Sequence, residues 1–579
     1  MHMGVRVSRL MMRASVVSVL AIVVTGCNLK PVVPFSPRAD QRPEWLASTS
    51  APPPFMPPLP TTLPSWIPSS EQPATAPATE PSTTIKVEGL RTQSIRLTLQ
   101  EIIHRAVVNN KDVQVAGYDA AISKTRILEN QAHFDPVAYS NVQYTDNKVL
   151  SPSSGTLVSN PFTPQVFRTL DIQTGLKQQL PSGGQVDLRY EIQRIQQTPA
   201  GSINPYFLDQ VVMQITQPLL RNFGYSINQA RVTIGRNDYR ISVLDFRNKL
   251  EDNLTEIEKD YWQLVEAEQE LHVQERLLAT SQDTLRILVE RAAQGGDVNK
   301  LQVSQAGVRV KNQEAILVQA RGRLGDISDD IKTRMNDPEF PVAGTITILA
   351  VENAALETEV HFDEEDQVRT ALLNRFDIGQ QMLRIDSSVI AAEVARNNLL
   401  PKFDITGSFQ VQGPGKDIGR AFDKQGRADF IGGAIGFQFE WPLGNREARS
   451  IYRRAMLQHI QAMTQYQSLI DKATNEVKGS LRAVETSWEE LGRRREARLV
   501  ANDQLVGYQQ ARELGRQLVP EFVDLLLNAE EQFAQAQRDE YLAIANYNLA
   551  ISRLERAKGT LLRYNNVILE EDRFVEMER

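Results

Sequence analysis

Residues 403–411 read FDITGSFQV and residues 431–441 read IGGAIGFQFEW. In the first stretch Phe403, Ile405, Gly407, Phe409 and Val411 alternate with Asp404, Thr406, Ser408 and Gln410; in the second Ile431, Gly433, Ile435, Phe437, Phe439 and Trp441 alternate with Gly432, Ala434, Gly436, Gln438 and Glu440. A period of two with one apolar face and one polar or small face is the signature of a β-strand. A half-buried strand of a soluble sandwich alternates in the same way, so the period alone leaves both settings open. The surroundings decide: so few strands beside very long helices have no evident core to cover, unless lipid covers the apolar face.

The same pattern recurs upstream. Leu170, Ile172, Leu176 and Leu180 alternate with Asp171, Gln173, Lys177 and Gln179, and after the turn 181–184 Val186, Leu188, Tyr190 and Ile192 alternate with Gln185, Asp187, Arg189 and Glu191. Strand-like segments at about 137–145 and 207–217 flank this hairpin. The turn at 181–184 is short, whereas the connections at 152–165 and 198–205 are longer, as in a barrel with short turns at one rim and long loops at the other.

Long proline-free stretches with apolar residues three and four apart predict helices at about 97–133, 226–294, 298–335, 364–398, 446–514 and 521–564. Leu250, Leu254, Ile257, Tyr261, Leu264, Val265, Leu271 and Leu278 show the spacing. A helix of about 70 residues is about 105 Å long at about 1.5 Å per residue, so it needs neighbours along its length. The order helix, strands, long helix, break, helix occurs twice, which divides the chain into a repeat at 95–340, a connector at 341–362, a second repeat at 363–566 and an acidic tail at 567–579.

The N-terminus adds a compartment. Arg6, Arg9 and Arg13 precede the apolar run 14–24, which ends in Thr25-Gly26-Cys27. This resembles a bacterial lipoprotein signal over 1–26 with Cys27 acylated, the alternative being an ordinary secretory signal. Asn28 after the cysteine then favours outer-membrane sorting. Residues 27–94 form the expected lipid anchor and linker, whose proline-rich part, about 31–81, holds about half of the chain's 29 prolines. Cys27 is the only cysteine, which excludes an intrachain disulfide framework, and a net charge of −7 without an extended basic block argues against nucleic acid as a partner.

Leu97-Thr98-Leu99-Gln100-Glu101-Ile102-Ile103 with Asn109-Asn110, Phe134-Asp135-Pro136, Gln217-Pro218-Leu219-Leu220-Arg221, Leu400-Pro401 and Trp441-Pro442-Leu443-Gly444-Asn445-Arg446 resemble the opening helix and the strand-helix junctions of the TolC-type outer-membrane efflux factors. None of these short motifs is specific; their order in both halves carries the resemblance, which runs from about 95 to 564. It implies an α+β membrane protein in which a long α-helical periplasmic barrel is continuous with a transmembrane β-barrel shared by three protomers. Its partners would be two further copies of the chain, a periplasmic adaptor protein, an inner-membrane transporter and outer-membrane lipid. The family has two strands per half, whereas this first half offers four; either the barrel has about eighteen strands, or the extra hairpin lies outside it.

The breaks at Gly295-Gly296-Asp297-Val298 and Gly515-Arg516-Gln517-Leu518-Val519, with Phe522 beyond the second, resemble the family's periplasmic tips, where an adaptor docks and the entrance narrows; they also serve as plain turns between packed helices. Arg291, Asp297, Lys300, Arg512, Glu513, Arg516 and Asp524 are candidates for ion pairs that hold the tips together. Pro136, Pro218, Pro401 and Pro442 mark the strand-helix junctions. The six histidines have neither metal-ligand nor nucleophile-base spacing, the glycines 413–415 lack a phosphate-loop pattern, and carboxylates such as Glu268 and Glu270 read as solvated helix faces. No cofactor, metal or catalytic residue is expected. The sequence thus points to a passive exit duct for a tripartite efflux or type I secretion system, the alternatives being a coiled-coil lipoprotein that spaces envelope layers without a pore and, with no reactive constellation behind it, a surface lipoprotein enzyme.

Overall fold

A computed structural model describes residues 94–152, 162–198, 203–294, 298–351, 358–514 and 519–567. The elements in order are β1 (Ser94–Leu97), α1 (Leu99–Asn109), α2 (Lys111–Gln131), β2 (Val137–Pro152), β3 (Phe162–Gln179), β4 (Gln185–Thr198), β5 (Tyr206–Pro218), α3 (Ala230–Ala293), α4 (Lys300–Met335), β6 (Thr347–Ala350), α5 (Glu364–Asn374), α6 (Phe376–Asn397), β7 (Lys402–Gly415), α7 (Ile418–Gly426), β8 (Phe430–Glu440), α8 (Arg446–Glu513) and α9 (Pro520–Lys558). Among the described residues no helix is long and apolar enough to cross a membrane.

The expected helices at 97–133 and 364–398 are broken at Asn110 and Arg375, that at 226–294 is interrupted at Gln229, and that at 521–564 stops at Lys558, where Gly559 precedes a last turn at Leu561–Tyr564. Leu97 ends a strand rather than opening a helix, because Thr98 starts α1 with a capping box: the Glu101 N–H donates to Thr98 Oγ1 (3.2 Å) and the Thr98 N–H to Glu101 Oε2 (2.9 Å). Asn110 then stops α1 and caps α2, accepting from the Asp112 and Val113 N–H groups while its amide donates to the Arg334 carbonyl at the end of α4. The corresponding break in the second half is at Arg375, whose guanidinium contacts Asp377, Glu476 and the Ala557 carbonyl. The connector 341–362 carries β6, which pairs in parallel with β1. Glu268 is buried there, paired with Arg96 at 2.7 Å and accepting from the Ala350 N–H, and is not the solvated carboxylate expected of it.

The 64 residues of α3 make a rod of about 96 Å. Its stripe of Leu250, Leu254, Ile257, Tyr261, Leu264 and Leu271 is buried in the main core, against Leu317, Leu324 and Ile331 of α4 and Ala545 and Leu549 of α9. The 68-residue α8 packs on α9, α6 and α5, but only Ala455, Ala473, Val477, Leu481, Val484, Leu491 and Leu505 are buried on it. Leu457, Ile460, Leu499 and Val500 stay exposed, so α8 presents apolar surface that nothing among the described residues covers.

All six longer strands join one antiparallel sheet in the order β2-β3-β4-β5-β7-β8. The four strands of the first half and the two of the second are therefore continuous, through β5 and β7, which pair from Phe207↔Gly415 to Pro218↔Asp404. At the short turn between β3 and β4, Gly183 has φ +93° and a Cβ there would lie 2.1 Å from the Asn222 carbonyl oxygen. The turn is thus pressed against the segment that leads into α3. Gly183→Ala is predicted to cost on the order of 1–3 kcal/mol and to lower the thermal midpoint followed by circular dichroism; an unchanged midpoint would show that this contact does not constrain the turn.

Candidate functional site

The sheet reverses the burial of a soluble protein. In register across β2 to β5, Gln143, Asp171, Gln193 and Leu208 share one face, as do Asn141, Gln173, Glu191 and Gln210. On this polar face Glu191, Gln210, Val212 and Asp404 are buried. On the other face Val142 (69%), Ile435 (78%), Phe437 (66%) and Phe439 (60%) are exposed, together with Tyr144, Leu176 and Leu188. The sheet thus shelters amides and carboxylates on one face and exposes Phe, Ile and Leu side chains on the other, the reverse of the usual arrangement in a water-soluble sheet.

The polar face is a connected network. The Tyr139 hydroxyl donates to Asp187 Oδ1 (2.8 Å), Arg189 pairs with Asp187 (3.3 Å) and Glu191 (3.6 Å), and the Gln173 amide donates to Asp171 (2.7 Å). The Gln193 amide donates to Glu191, and that of Gln412 donates to Gln210 across β5 and β7. These charges and amides make a hydrophilic, hydrogen-bonding wall, in which Asp171 Oδ1 and Arg189 Nε are buried without a hydrogen-bond partner among the described residues.

The junction prolines lie at the end of the sheet that meets the helices. Pro218 is in register with Asp404; beyond it the Leu219 N–H donates to the Phe403 carbonyl (2.7 Å) and the Arg221 N–H to that of Pro401 (3.4 Å). Asn397 ties α6 to the same place by accepting from the Asn222 N–H, and the Asn445 amide, after Pro442, donates to the Leu399 carbonyl. Pro136 precedes β2 at the sheet's other side, where Gln178 donates to the Phe134 carbonyl. Pro218 and Pro442 lie where strands give way to helices, and Pro136 and Pro401 where helices give way to strands.

At the far end of the helices, both breaks converge. Val298 and Phe522 belong to one cluster with Leu288 of α3, Ala306 of α4, and Val523 and Leu527 of α9. The Tyr508 ring of α8 stands edge-on to Phe522 at 5.9 Å. Val519 is partly exposed and accepts at its carbonyl from the Phe522 and Val523 N–H groups. Arg291 and Arg512 sit in the last turns of α3 and α8, where positive charge complements the helix dipole. Gly295, Gly296, Asp297, Gly515, Arg516 and Leu518 lie outside the described residues, as does Cys27.

No protein-family model and no curated protein matches the sequence. Solved structures do. A membrane protein from Pseudomonas aeruginosa superposes with a TM-score of 0.58 at 15% identity, over 85% of this chain and 99% of that one. The Campylobacter jejuni CmeC outer membrane channel gives 0.58 at 14% identity over 86% and 95%, and the open state of the Neisseria gonorrhoeae MtrE outer membrane channel gives 0.57 at 16% over 86% and 98%. This chain has the TolC-type outer-membrane channel fold.

Within that fold the tips hold residues that local patterns do not single out. Arg309 of α4 reaches Asn528 (2.7 Å) and Glu531 (2.8 Å) on α9, and Glu530, only 3% exposed, accepts from Thr284 of α3 at 3.3 Å. Burial pushes the Glu530 carboxyl up to about 7, against the downward pull of the Thr284 hydroxyl, Arg512 and Arg309, with Asp283 adding to the rise. A lone glutamate on a helix face carries no sequence signal of burial; only the packing of α3 on α9 reveals it. Among the described residues no group of three or more His, Cys, Asp or Glu side chains is placed to hold a metal ion.

The sign follows from linkage. The folded chain binds the Glu530 proton more tightly than the unfolded chain, so this group's destabilising effect is present above about 7 and is relieved as pH falls from about 7 towards 4.5. The thermal midpoint of the wild type is predicted to fall between pH 5.5 and 8 by more than that of Glu530→Gln. Equal slopes in the two proteins would exclude a proton at this carboxyl.

Proposed function

We propose that the protein is a passive duct through the outer membrane that serves as the exit of a tripartite efflux or type I secretion system. The observation that carries this reading is the single six-stranded sheet, apolar outward and polar inward, joined to helices of about 100 Å. Its two edge strands are β2 and β8, and long exposed edges are unstable in isolation. Strands one and six of an antiparallel sheet run in opposite directions, so β8 of one copy can pair antiparallel with β2 of the next. Three copies then close a barrel of eighteen strands, within the range of barrels that enclose water.

A spacing of about 4.8 Å and a tilt of about 40° give such a ring a backbone diameter of about 36 Å, against about 24 Å for twelve strands. The exposed apolar residues of α8 would be covered in the same trimer, whose helices form a periplasmic tunnel. The two repeats place their tips side by side, and Val298, Val519 and Phe522 there, with the flanking 295–297 and 515–518, form the surface for a periplasmic adaptor. Energy comes from an inner-membrane transporter. Acylation at Cys27 anchors each protomer to the outer membrane.

In planar bilayers the purified, lipidated protein is expected to form trimers with discrete steps of conductance. A monomer without conductance would contradict the duct and favour the spacer. Cys27→Ser is expected to abolish incorporation of labelled palmitate; undiminished labelling would place the acyl chain elsewhere.

A further inference from the structure

The connection between β7 and β8 folds back onto the wrong side of the sheet for a loop that merely caps a pore. Gly413 and Gly415 have the strand parity of Phe403, Ile405, Phe409 and Val411, so their missing side chains point to the apolar face. A Cβ on Gly413 would lie 2.0 Å from the Ala421 carbonyl oxygen, and one on Gly415 2.4 Å from the Ala421 nitrogen. The glycines therefore let α7 lie directly on the outside of the sheet, against β5 and β7, with Asp209 buried in register with Gly413. This is the end of the strands remote from the junction prolines. The level is that of the first residues of β8, whose pairing begins at Phe430↔Gln412.

The helix is two-sided. Ala421 and Gln425 face the sheet; Ile418 (52% exposed) and Phe422 (58%), four apart, form an apolar edge beside them that no part of the chain covers among the described residues. Exposed Ile431, in register with Val411, follows on β8 and continues the apolar face of the sheet. Helical spacing puts Arg420, Lys424 and Arg427 on the opposite side, with Arg420 3.5 Å from Asp417 and Arg427 2.6 Å from Asp423 at the surface. Exposed pairs of this kind exchange partners at little cost.

An amphipathic helix with an apolar edge and a basic side, seated where a band of lipid-facing residues ends, is the architecture of an interfacial helix. We propose that α7 is a binding site for a phosphate-bearing glycolipid of the outer leaflet, of the lipid A class, its acyl chains against Ile418 and Phe422 and its phosphates on Arg420, Lys424 and Arg427. The proposal rests on the sheet being the wall of an outer-membrane barrel. Its consequence is a trimer fastened to both leaflets: acyl chains at Cys27 on the periplasmic side and a lipid clasp at the outer rim.

The test uses the full-length lipidated protein in detergent, with added lipid A followed by native mass spectrometry and conductance measured in parallel. Wild type should hold lipid A. The triple variant Arg420→Gln, Lys424→Gln, Arg427→Gln should hold about tenfold less, Phe422→Ser should also lose lipid, and dephosphorylated lipid A should bind wild type no better than lipid A binds the triple variant. Displacement of lipid A by inorganic phosphate alone, or equal lipid A on wild type and the triple variant, would overturn the proposal. Loss of trimer or conductance in the wild type itself would instead strike the duct reading; conducting trimers whose lipid content ignores α7 strike only this one.

Discussion

Backbone N–H and C=O groups cannot be left unpaired where there is no water, and this constraint governs everything else in the protein. The exposed face of the sheet carries Val142, Leu188, Ile435, Phe437 and Phe439, the face that the proposed duct turns to lipid. Lipid tolerates a sheet only when its edges are closed. β2 and β8 are the two edges of this sheet, and the antiparallel order of its six strands would allow head-to-tail closure with further copies, as proposed above.

The helices obey the same logic in water. A rod of about 100 Å cannot bury its own surface, and α3 succeeds because α4, α9, α2 and α6 surround it, with Leu250, Leu254, Tyr261 and Leu264 at its centre. The second long helix, α8, has far fewer buried residues among those described. Sheet and helices are welded by backbone hydrogen bonds at Leu219, Arg221, Phe403 and Pro401 and by Asn397 and Asn445, so that ordering one of the two orders the other. Coupling between sheet and helices is thus built from short polar links near the junction prolines.

Strand identity was legible because side chains alternate, and the apolar and polar sets named from residues 170–192 and 403–441 fall on the two faces of the sheet as read. Strand length was not: β2 runs on to Pro152 through TDNKVLSP, where a mixed composition hides the period and pairing with β3 sustains it. The breaks at Asn110 and Arg375 carry neither proline nor glycine; they are held by the Arg334 and Ala557 carbonyls from distant helices, which no local window contains. The pairing of β1 with β6 joins four-residue segments some 250 positions apart in sequence. Gly413 and Gly415 read as loop glycines, but their role is the close approach of α7, itself too short and too charged to stand out. At the tips, Val298 and Phe522 were visible as apolar residues beside glycine breaks, whereas Glu530 needed the fold to show its burial.

We propose that three six-stranded sheets make one closed wall. This is tested most directly by an electron cryomicroscopy structure of the full-length trimer in lipid nanodiscs, in which the strands are counted and the edges traced. The expected result is a single ring of eighteen strands in which β8 of each protomer is hydrogen-bonded antiparallel to β2 of the next. A twelve-stranded ring with one hairpin of each chain outside it, or sheets whose β2 and β8 edges remain separate, would contradict it.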